Sequence, residues 1–421
     1  MFAPAINEVM ATFQSTSPLL SSFAVSVWVL GYFFGPLFLG PLSEMYGRWP
    51  VYIATNILFT VFNIATAVSP SLSALIVFRF FAGTSGAGPL TVGSGTLGDL
   101  IKPENRGKMI AVWSVGPLLG PVLGPIAGGY LGENLGWRWI CWILAILAGI
   151  GAIACILLQE ETYPVTLIDR KVRRLREETG NSSLESVYYI DRKPSHVFSR
   201  SIMRPLRLFV FSPTVTALSL YQGIMFGFLY LLFTTFPLVF KQQYNFSTGN
   251  IGLTYLGSGI GSIISLVTTG LTLDMLAKRL AGTGAFKPEH RLPPLIPACF
   301  FIPIGLFWYG WTAENKAHWI LPIFGTVFNG FGINTLIMLA STYLIDANPL
   351  YEASAIAACT AVRSLIGAFV PLAGRSMYEA LGLGWGNSLL GFMALALCPL
   401  PWYFYKYGER IRTNPRFQVK M

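Results

Sequence analysis

Long apolar runs alternate along this chain with short polar connections, and each run has the length of a bilayer crossing. Eleven such runs fall at 19–42, 50–69, 73–98, 107–132, 136–158, 208–240, 248–276, 293–312, 317–345, 350–380 and 384–407. A hydrocarbon core of ~30 Å takes about 20 helical residues, so each run predicts one membrane-spanning helix. Between 159 and 207 the character switches. Arg170, Lys171, Arg173, Arg174, Arg176, Arg192, Lys193, Arg200, Arg204 and Arg207 crowd this stretch, which predicts a polar linker with helical pieces at the membrane surface. The pattern divides the chain into a first helical bundle at 1–158, a basic linker at 159–207, and a second bundle with its tail at 208–421.

Composition agrees with the pattern. The chain has 421 residues, 53% of them hydrophobic and 11% charged, against about 25% charged in a soluble domain. Its formal net charge of +10 looks at first like a signal for an anionic partner. Placement explains it otherwise. Of the 29 Lys and Arg residues, 23 fall in one set of alternate connections: Arg48, the segment 102–108, the linker, the segment 278–291 and the tail after 405. Basic loops stay on the cytoplasmic side, which puts the linker and C-terminus there and removes any need for nucleic acid. A basic surface facing anionic lipid is the remaining use.

Catalytic and metal chemistry find little support. The five cysteines (Cys141, Cys155, Cys299, Cys359, Cys398) lie in apolar runs without paired spacing, as small buried hydrophobes do. His196, His290 and His318 lie in or beside loops, and no phosphate-binding Gly-x-x-x-x-Gly-Lys-Ser/Thr motif occurs. No enzyme activity, cofactor or metal is expected. Asn245-Phe246-Ser247 is a glycosylation sequon on the predicted outer side, whereas Asn181-Ser182-Ser183 falls inside.

One run breaks the rules for a soluble helix. Gly116-Pro117, Gly120-Pro121, Gly124-Pro125 and Gly128-Gly129 repeat at four-residue steps. Positions i and i+4 share a helix face, so the glycines form a bare stripe. Interior Gly costs ~1 kcal/mol and Pro ~3 kcal/mol relative to Ala in water. In lipid, small residues let two helix backbones touch, and neighbours can satisfy freed carbonyls. The run predicts a bent membrane helix packed along this stripe against a partner.

The two halves echo each other. Gly40-x-x-x-Glu44-x-x-x-Arg48 is answered by Gly270-x-x-x-Asp274-x-x-x-Lys278, and Leu97-Gly98-Asp99 before Pro103 by Leu344-Ile345-Asp346 before Pro349. The equivalent places of these matches predict a duplicated six-helix unit, the arrangement secondary transporters build around a central site. Arg79 and Arg363 lie within apolar runs. A guanidinium cannot be discharged, and at depth it costs at least ~2.5 kcal/mol, so each should face a wet cavity or a counter-charge. Trp28, Tyr32, Tyr221, Gln222, Asn329 and Asn334 offer the aromatic and polar surface a binder of mixed organic molecules needs. Interhelical contact is the competing role for each.

Several motifs together resemble the major facilitator superfamily. The loop Gly40-Pro41-Leu42-Ser43-Glu44-Met45-Tyr46-Gly47-Arg48 is similar to its signature between the second and third spans. The stripe at 116–129 resembles the motif of its antiporter branch, and Arg79-x-x-x-Gly83-x-x-Gly86 its fourth-span motif. Glu160-Glu161-Thr162-Tyr163-Pro164 and Glu289-His290-Arg291-Leu292-Pro293-Pro294 are similar to fungal members of the drug:proton antiporter group. Two departures stand out. Met45 and Trp49 occupy places where bases often occur, and residues 1–13 match only the outer end of a first span, about 20 Å at 1.5 Å per residue.

The resemblance implies an all-α membrane protein of two pseudo-symmetric six-helix bundles, here with a truncated first helix and about eleven full spans. It implies proton-coupled efflux of a small organic compound by alternating access, in a multi-pass protein of the plasma membrane or the vacuole. A monomer in the lipid bilayer is expected, with protons and the organic substrate as its partners. It further implies a cytoplasmic gate of Gly40, Glu44, Gly47, Arg48 and Asp99, with Asp274, Lys278 and Asp346 as the weaker second-half set. Physically, Arg48 can pair with Asp99, and Glu44 can cap a helix N-terminus. Arg79 would line the cavity and bear on proton coupling, with Arg363 facing it from the other half. Two rival readings stay open: an uptake permease for a nutrient or polyamine, and a truncated membrane protein that transports nothing.

Overall fold

The computed structural model describes residues 1–101, 103–181, 183–186, 194–281, 287–348 and 352–414, and it is helical throughout, with no strand among the described residues. A 3₁₀ turn at Ala3–Ala5 leads into α1 (Ile6–Thr12). The first half continues with α2 (Pro18–Tyr46), α3 (Arg48–Ala67), α4 (Leu72–Gly86), α5 (Gly88–Leu100), α6 (Pro103–Leu135) and α7 (Trp137–Leu158). The connecting stretch carries α8 (Pro164–Thr179) and α9 (Pro194–Phe211). The second half holds α10 (Pro213–Tyr244), α11 (Thr248–Thr254), α12 (Leu256–Ala281), α13 (Leu295–Ala298), α14 (Phe301–Glu314), α15 (Ile320–Ala347), α16 (Glu352–Phe369), α17 (Gly374–Leu397) and α18 (Pro399–Thr413).

Nine stretches among the described residues are long and apolar enough to cross a membrane. The last runs from Ser354 to Thr413, 60 residues. At 1.5 Å per residue that is about 90 Å, enough for two crossings of ~30 Å. It reverses at Gly382, whose φ of 74° is open to glycine and strained for other residues. Gly47 (φ 98°) turns α2 into α3 and Gly136 (φ 86°) turns α6 into α7 in the same way. Ser17 and Ser71 cap α2 and α4 by accepting from the backbone N–H of Leu20 and Ala74. Proline in the first turn starts α2, α8 and α10, where its missing N–H costs nothing. α6 runs unbroken through Pro117, Pro121 and Pro125.

The helices pair alike in both halves. In the first, α2 packs on α4 and α3 on α7; in the second, α12 packs on α15 and α14 on α17. These are the pairs that a duplicated unit requires. The buried apolar residues form two clusters. One gathers Phe2, Ile6, Val9, Leu75, Trp137, Ile140 and their neighbours, and the other runs from Leu208 to Phe404. On α7, Ile146, Leu147, Ile150, Ile153 and Leu157 are exposed along one face, the surface that lipid would cover.

The halves meet along two seams. α2 packs on α16, and α6 packs on α11 and α12. Among the described residues, the close contacts of α6 with the second half involve its C-terminal half. A Cβ on Gly252 would lie 2.5 Å from the Pro125 carbonyl oxygen, one on Gly259 would lie 2.7 Å from Val122, and one on Gly129 would lie 2.7 Å from the Thr248 carbonyl oxygen. Gly124 and Gly128 face Met1 instead. A Cβ on Gly116 or Gly120 would meet nothing within 4 Å, and Pro117 and Pro121 are exposed. The predicted packed stripe is therefore packed only from Val122 onward. Gly116 and Gly120 continue the face on which Gly124 and Gly128 meet Met1, and that face is open there.

Candidate functional site

The two intramembrane arginines face the region between the halves. Arg79 sits on α4, with its Nε donating to the Ala24 carbonyl oxygen of α2 at 2.7 Å and its guanidinium 3.8 Å from the centre of the Phe2 ring. Arg363 sits on α16, its guanidinium 5.1 Å from the Phe226 ring of α10. The Arg363 Nε is shut off from solvent and has no hydrogen-bond partner. Tyr230 of α10 is close enough to feel the charge of both. Phe226 and Tyr230 are one helical turn apart, with ring centroids 4.8 Å apart.

Trp28 and Tyr32 join this cluster from α2. Their rings lie 4.6 Å apart, and the Tyr32 hydroxyl donates to the Gly86 carbonyl oxygen at 3.1 Å. The Tyr32 phenol in turn lies within electrostatic reach of Tyr230. α2 can approach α4 this closely because both helices carry glycines at the crossing. A Cβ on Gly31 would lie 2.4 Å from the Thr84 nitrogen, and one on Gly83 would lie 2.1 Å from the Trp28 carbonyl oxygen. Trp28, Tyr32, Arg79, Phe226, Tyr230 and Arg363 are all half-buried, unlike the closed core around them. Three come from each half. Phe226 and Tyr230 escaped the sequence reading, although they follow Gln222 at four-residue steps on one helix face.

The other polar candidates are placed differently. Asn329 is fully buried on α15 against Gly305 of α14, with both amide atoms unpartnered. Asn334 donates to the Ser262 carbonyl oxygen at 3.2 Å and to Ser265 Oγ at 3.3 Å, a contact between α15 and α12. Tyr221 and Gln222 are closed within the core, without hydrogen-bond partners. These four lie within the second half, apart from the half-buried cluster.

At the basic end of the first half, Arg48 is a hub. Its Nε donates to Asp99 Oδ2 at 3.0 Å and a terminal nitrogen donates to Ser43 Oγ at 2.6 Å, while its guanidinium covers the Tyr163 ring at 4.9 Å. Burial pushes the Tyr163 phenol above its ordinary value, so the ring stays neutral. Gly95 makes room, since a Cβ there would lie 2.8 Å from the guanidinium carbon. Gly40 supports the loop, its carbonyl oxygen accepting from Ser43 Oγ at 2.7 Å.

The cap of α3 is not Glu44. Glu44 lies exposed in the last turn of α2, a position whose free groups are carbonyls rather than N–H donors. Glu161 takes the role. Its Oε1 accepts from the backbone N–H of Arg48 at 2.8 Å, Thr162 at 3.0 Å and Tyr163 at 2.9 Å, and its Oε2 from Trp49 at 3.3 Å. It is 9% exposed and sits against Gly47, where a Cβ would lie 2.2 Å from Oε2. A carboxylate on a helix N-terminus meets both orphan donors and the positive end of the dipole.

The second half builds a matching end. Asp346, at the end of α15 as Asp99 is at the end of α5, pairs with Arg291. Arg412 reaches the buried Glu289 at 3.4 Å, and Lys287 reaches Glu409 at 2.7 Å. Arg291, which the motif spacing did not single out, is a partner of Asp346. The side chains of Asp274 and Lys278 lie outside the described residues. At the opposite end, Glu133 of α6 bridges the halves, accepting from the Gly249 N–H at 2.6 Å and Ser247 Oγ at 3.0 Å. Asn245 of the sequon is exposed beside it in a left-handed conformation (φ 53°). All five cysteines are free, and no cluster of metal-ligating side chains occurs among the described residues.

Comparison with known proteins agrees with this architecture. The profile described as Major Facilitator Superfamily matches residues 1–371. The chain is 53% identical over 420 residues to the MFS-type transporter penM of Penicillium rubens, covering all of this chain and 83% of that protein. It is 47% identical over 424 residues to the efflux pump radE of Floropilus chiversii, covering all of this chain and 79% of that protein. Among solved structures, the xylose transporter XylE from E. coli, in a partially occluded inward open conformation, superposes with a TM-score of 0.72. That match covers 96% of this chain and 92% of the other, and at 16% identity it speaks for the fold alone.

Proposed function

Since the chain belongs to the Major Facilitator Superfamily and is a multi-pass membrane transport protein, we propose that it exports small organic compounds in exchange for protons by alternating access. The observation that carries this reading is the shared cluster. Two permanently charged guanidinium groups, one from each half, flank Tyr230 in a half-buried space lined by both. A site whose walls belong to two bodies changes its exposure when the bodies rock.

The helix seams support the same reading. Contact through α6, α11 and Glu133 joins the halves at the end away from the basic loops. With basic loops inside the cell, the joined end lies on the outer side. The Arg48–Asp99 and Arg291–Asp346 pairs each tie helices of a single half together. We assign them to keeping each half rigid, so that rocking moves the seams and leaves the bundles intact. Proton binding and substrate binding shift the populations of the two facing states.

Inside-out vesicles carrying the chain, challenged with a panel of fluorescent acids, bases and neutral compounds, test the proposal. Uptake into the vesicles that collapses when the pH gradient is dissipated, and falls at least tenfold in Arg79→Gln and Arg363→Gln, is the expected result. Flux insensitive to the gradient refutes proton exchange. Flux that concentrates the compound in the opposite direction supports an uptake permease.

A further inference from the structure

The chain spends its carboxylates on the ends of its helices. Arg48 is matched by Asp99, Arg291 by Asp346, Arg412 by Glu289, Lys287 by Glu409 and Arg375 by Glu379. Neither Arg79 nor Arg363 has a carboxylate partner among the described residues. Their neighbours include the Ala24 carbonyl, the Phe2 and Phe226 rings, Tyr230, the Cys141 and Cys359 thiols and, beside Arg79, the Met1 amino group. Both lie within apolar helices, and a guanidinium keeps its charge at any physiological pH. A buried charge is tolerated when it is paired. Here the described residues provide two charges of one sign and no counter-charge.

We propose that the missing counter-charge is the substrate: the compound carried is an organic anion, a carboxylate or an ionised phenol on an aromatic or otherwise apolar body. This rests on the transporter reading above. The Arg363 Nε is a donor without a partner, and a carboxylate oxygen would complete it with a charge-assisted bond. The apolar body would lie on Trp28, Tyr32 and Phe226, which are half-buried around the same space. An ammonium compound in that space would meet two like charges in a medium of low dielectric. The site is thus selective by sign.

Three congeners of one ring system separate the possibilities: 2-naphthoate, 2-naphthamide and 2-naphthylmethylammonium. Binding to the purified full chain in phosphatidylcholine nanodiscs is measured by calorimetry, in chloride buffer and in chloride-free buffer. The expected result is that 2-naphthoate binds at least tenfold tighter than either congener in both buffers. Arg363→Gln should abolish that preference and Arg363→Lys should keep part of it, each variant eluting as a monodisperse peak. Equal or tighter binding of the ammonium or the amide overturns the inference and leaves the transporter reading standing. A preference for the acid that vanishes in chloride assigns the site to an inorganic ion and also overturns it. If no congener binds and no member of the fluorescent panel moves, both readings fall.

Discussion

Removing the Glu161 side chain should unfasten the start of α3, and the effect can be sized from its four hydrogen bonds. Arg48 and Trp49 are the first two residues of a helix, and their N–H groups have no partner within it. Glu161 supplies both, at 2.8 and 3.3 Å. A hydrogen bond to a charged group contributes ~1.5–3 kcal/mol net. At about 1.4 kcal/mol per factor of ten, its loss should speed amide exchange roughly 10- to 150-fold. The shorter Arg48 bond belongs at the upper end of that range and the Trp49 bond at the lower. Hydrogen–deuterium exchange of Glu161→Ala in nanodiscs, read at these two amides, is the assay.

Glu161→Gln sharpens it. With its carbonyl at the Oε1 position, the amide still accepts from Arg48, Thr162 and Tyr163, but its NH₂ group then faces the Trp49 N–H. Exchange should therefore rise at Trp49 and change little at Arg48. Unchanged exchange at both amides in Glu161→Ala, with the rest of the map intact, would refute the capping account.

Other consequences follow from the same geometry. Asp99→Asn leaves Arg48 half of its polar support at a site only 10–15% exposed, and should cost about 2–3 kcal/mol, seen as a lower melting temperature of the purified protein. Gly252→Val places new carbon within 2.5 Å of the Pro125 carbonyl. At ~1–3 kcal/mol for such overpacking, it should push the α6–α11 seam open, read as reduced cross-linking between cysteines placed there. Gly120→Ala meets nothing within 4 Å and should be tolerated or even stabilising, by up to ~1 kcal/mol. Glu133→Gln removes the charge that holds Ser247 and Gly249, and should shift the population toward outer opening. If the sequon is used, Asn245→Gln should abolish an endoglycosidase-sensitive mobility shift.

Much of the scaffold was legible because lipid imposes one rule on every span, namely apolar length. Gly47 lies between two runs and Gly136 opens one, so both turns fall where the pattern breaks, and the duplication was visible as repeated short motifs. What the sequence hid was pairing across long separations. Glu161 lies 113 residues from the amide it caps, and nothing local distinguishes it from Glu160. The guess of Glu44 followed proximity in sequence, whereas a helix C-terminus has no spare donors to offer a carboxylate. Arg291 was missed as a partner of Asp346 because motif spacing counts residues, while an ion pair depends on where the loop returns. Tyr230 was missed because a tyrosine in an apolar run reads as packing until the opposing arginine is in view. Gly116–Gly129 looked uniform as a motif, yet only Gly124 and Gly128, against Met1, and Gly129, against α11, are packed, a property of the assembled chain.

The central claim is that two rigid halves rock about the cluster of Arg79, Tyr230 and Arg363. Two distances test it most directly, measured by electron–electron resonance between spin labels in proteoliposomes. One pair, Asn134 with Asn250, spans the closed seam at exposed positions. The other, Met109 with Leu271, spans α6 and α12 toward the basic end, also at exposed positions. Under a pH gradient with transported compound present, the first distance should lengthen while the second shortens, in one and the same population. If both stay fixed while transport proceeds, or both lengthen together, the halves do not rock about this cluster and the account is wrong.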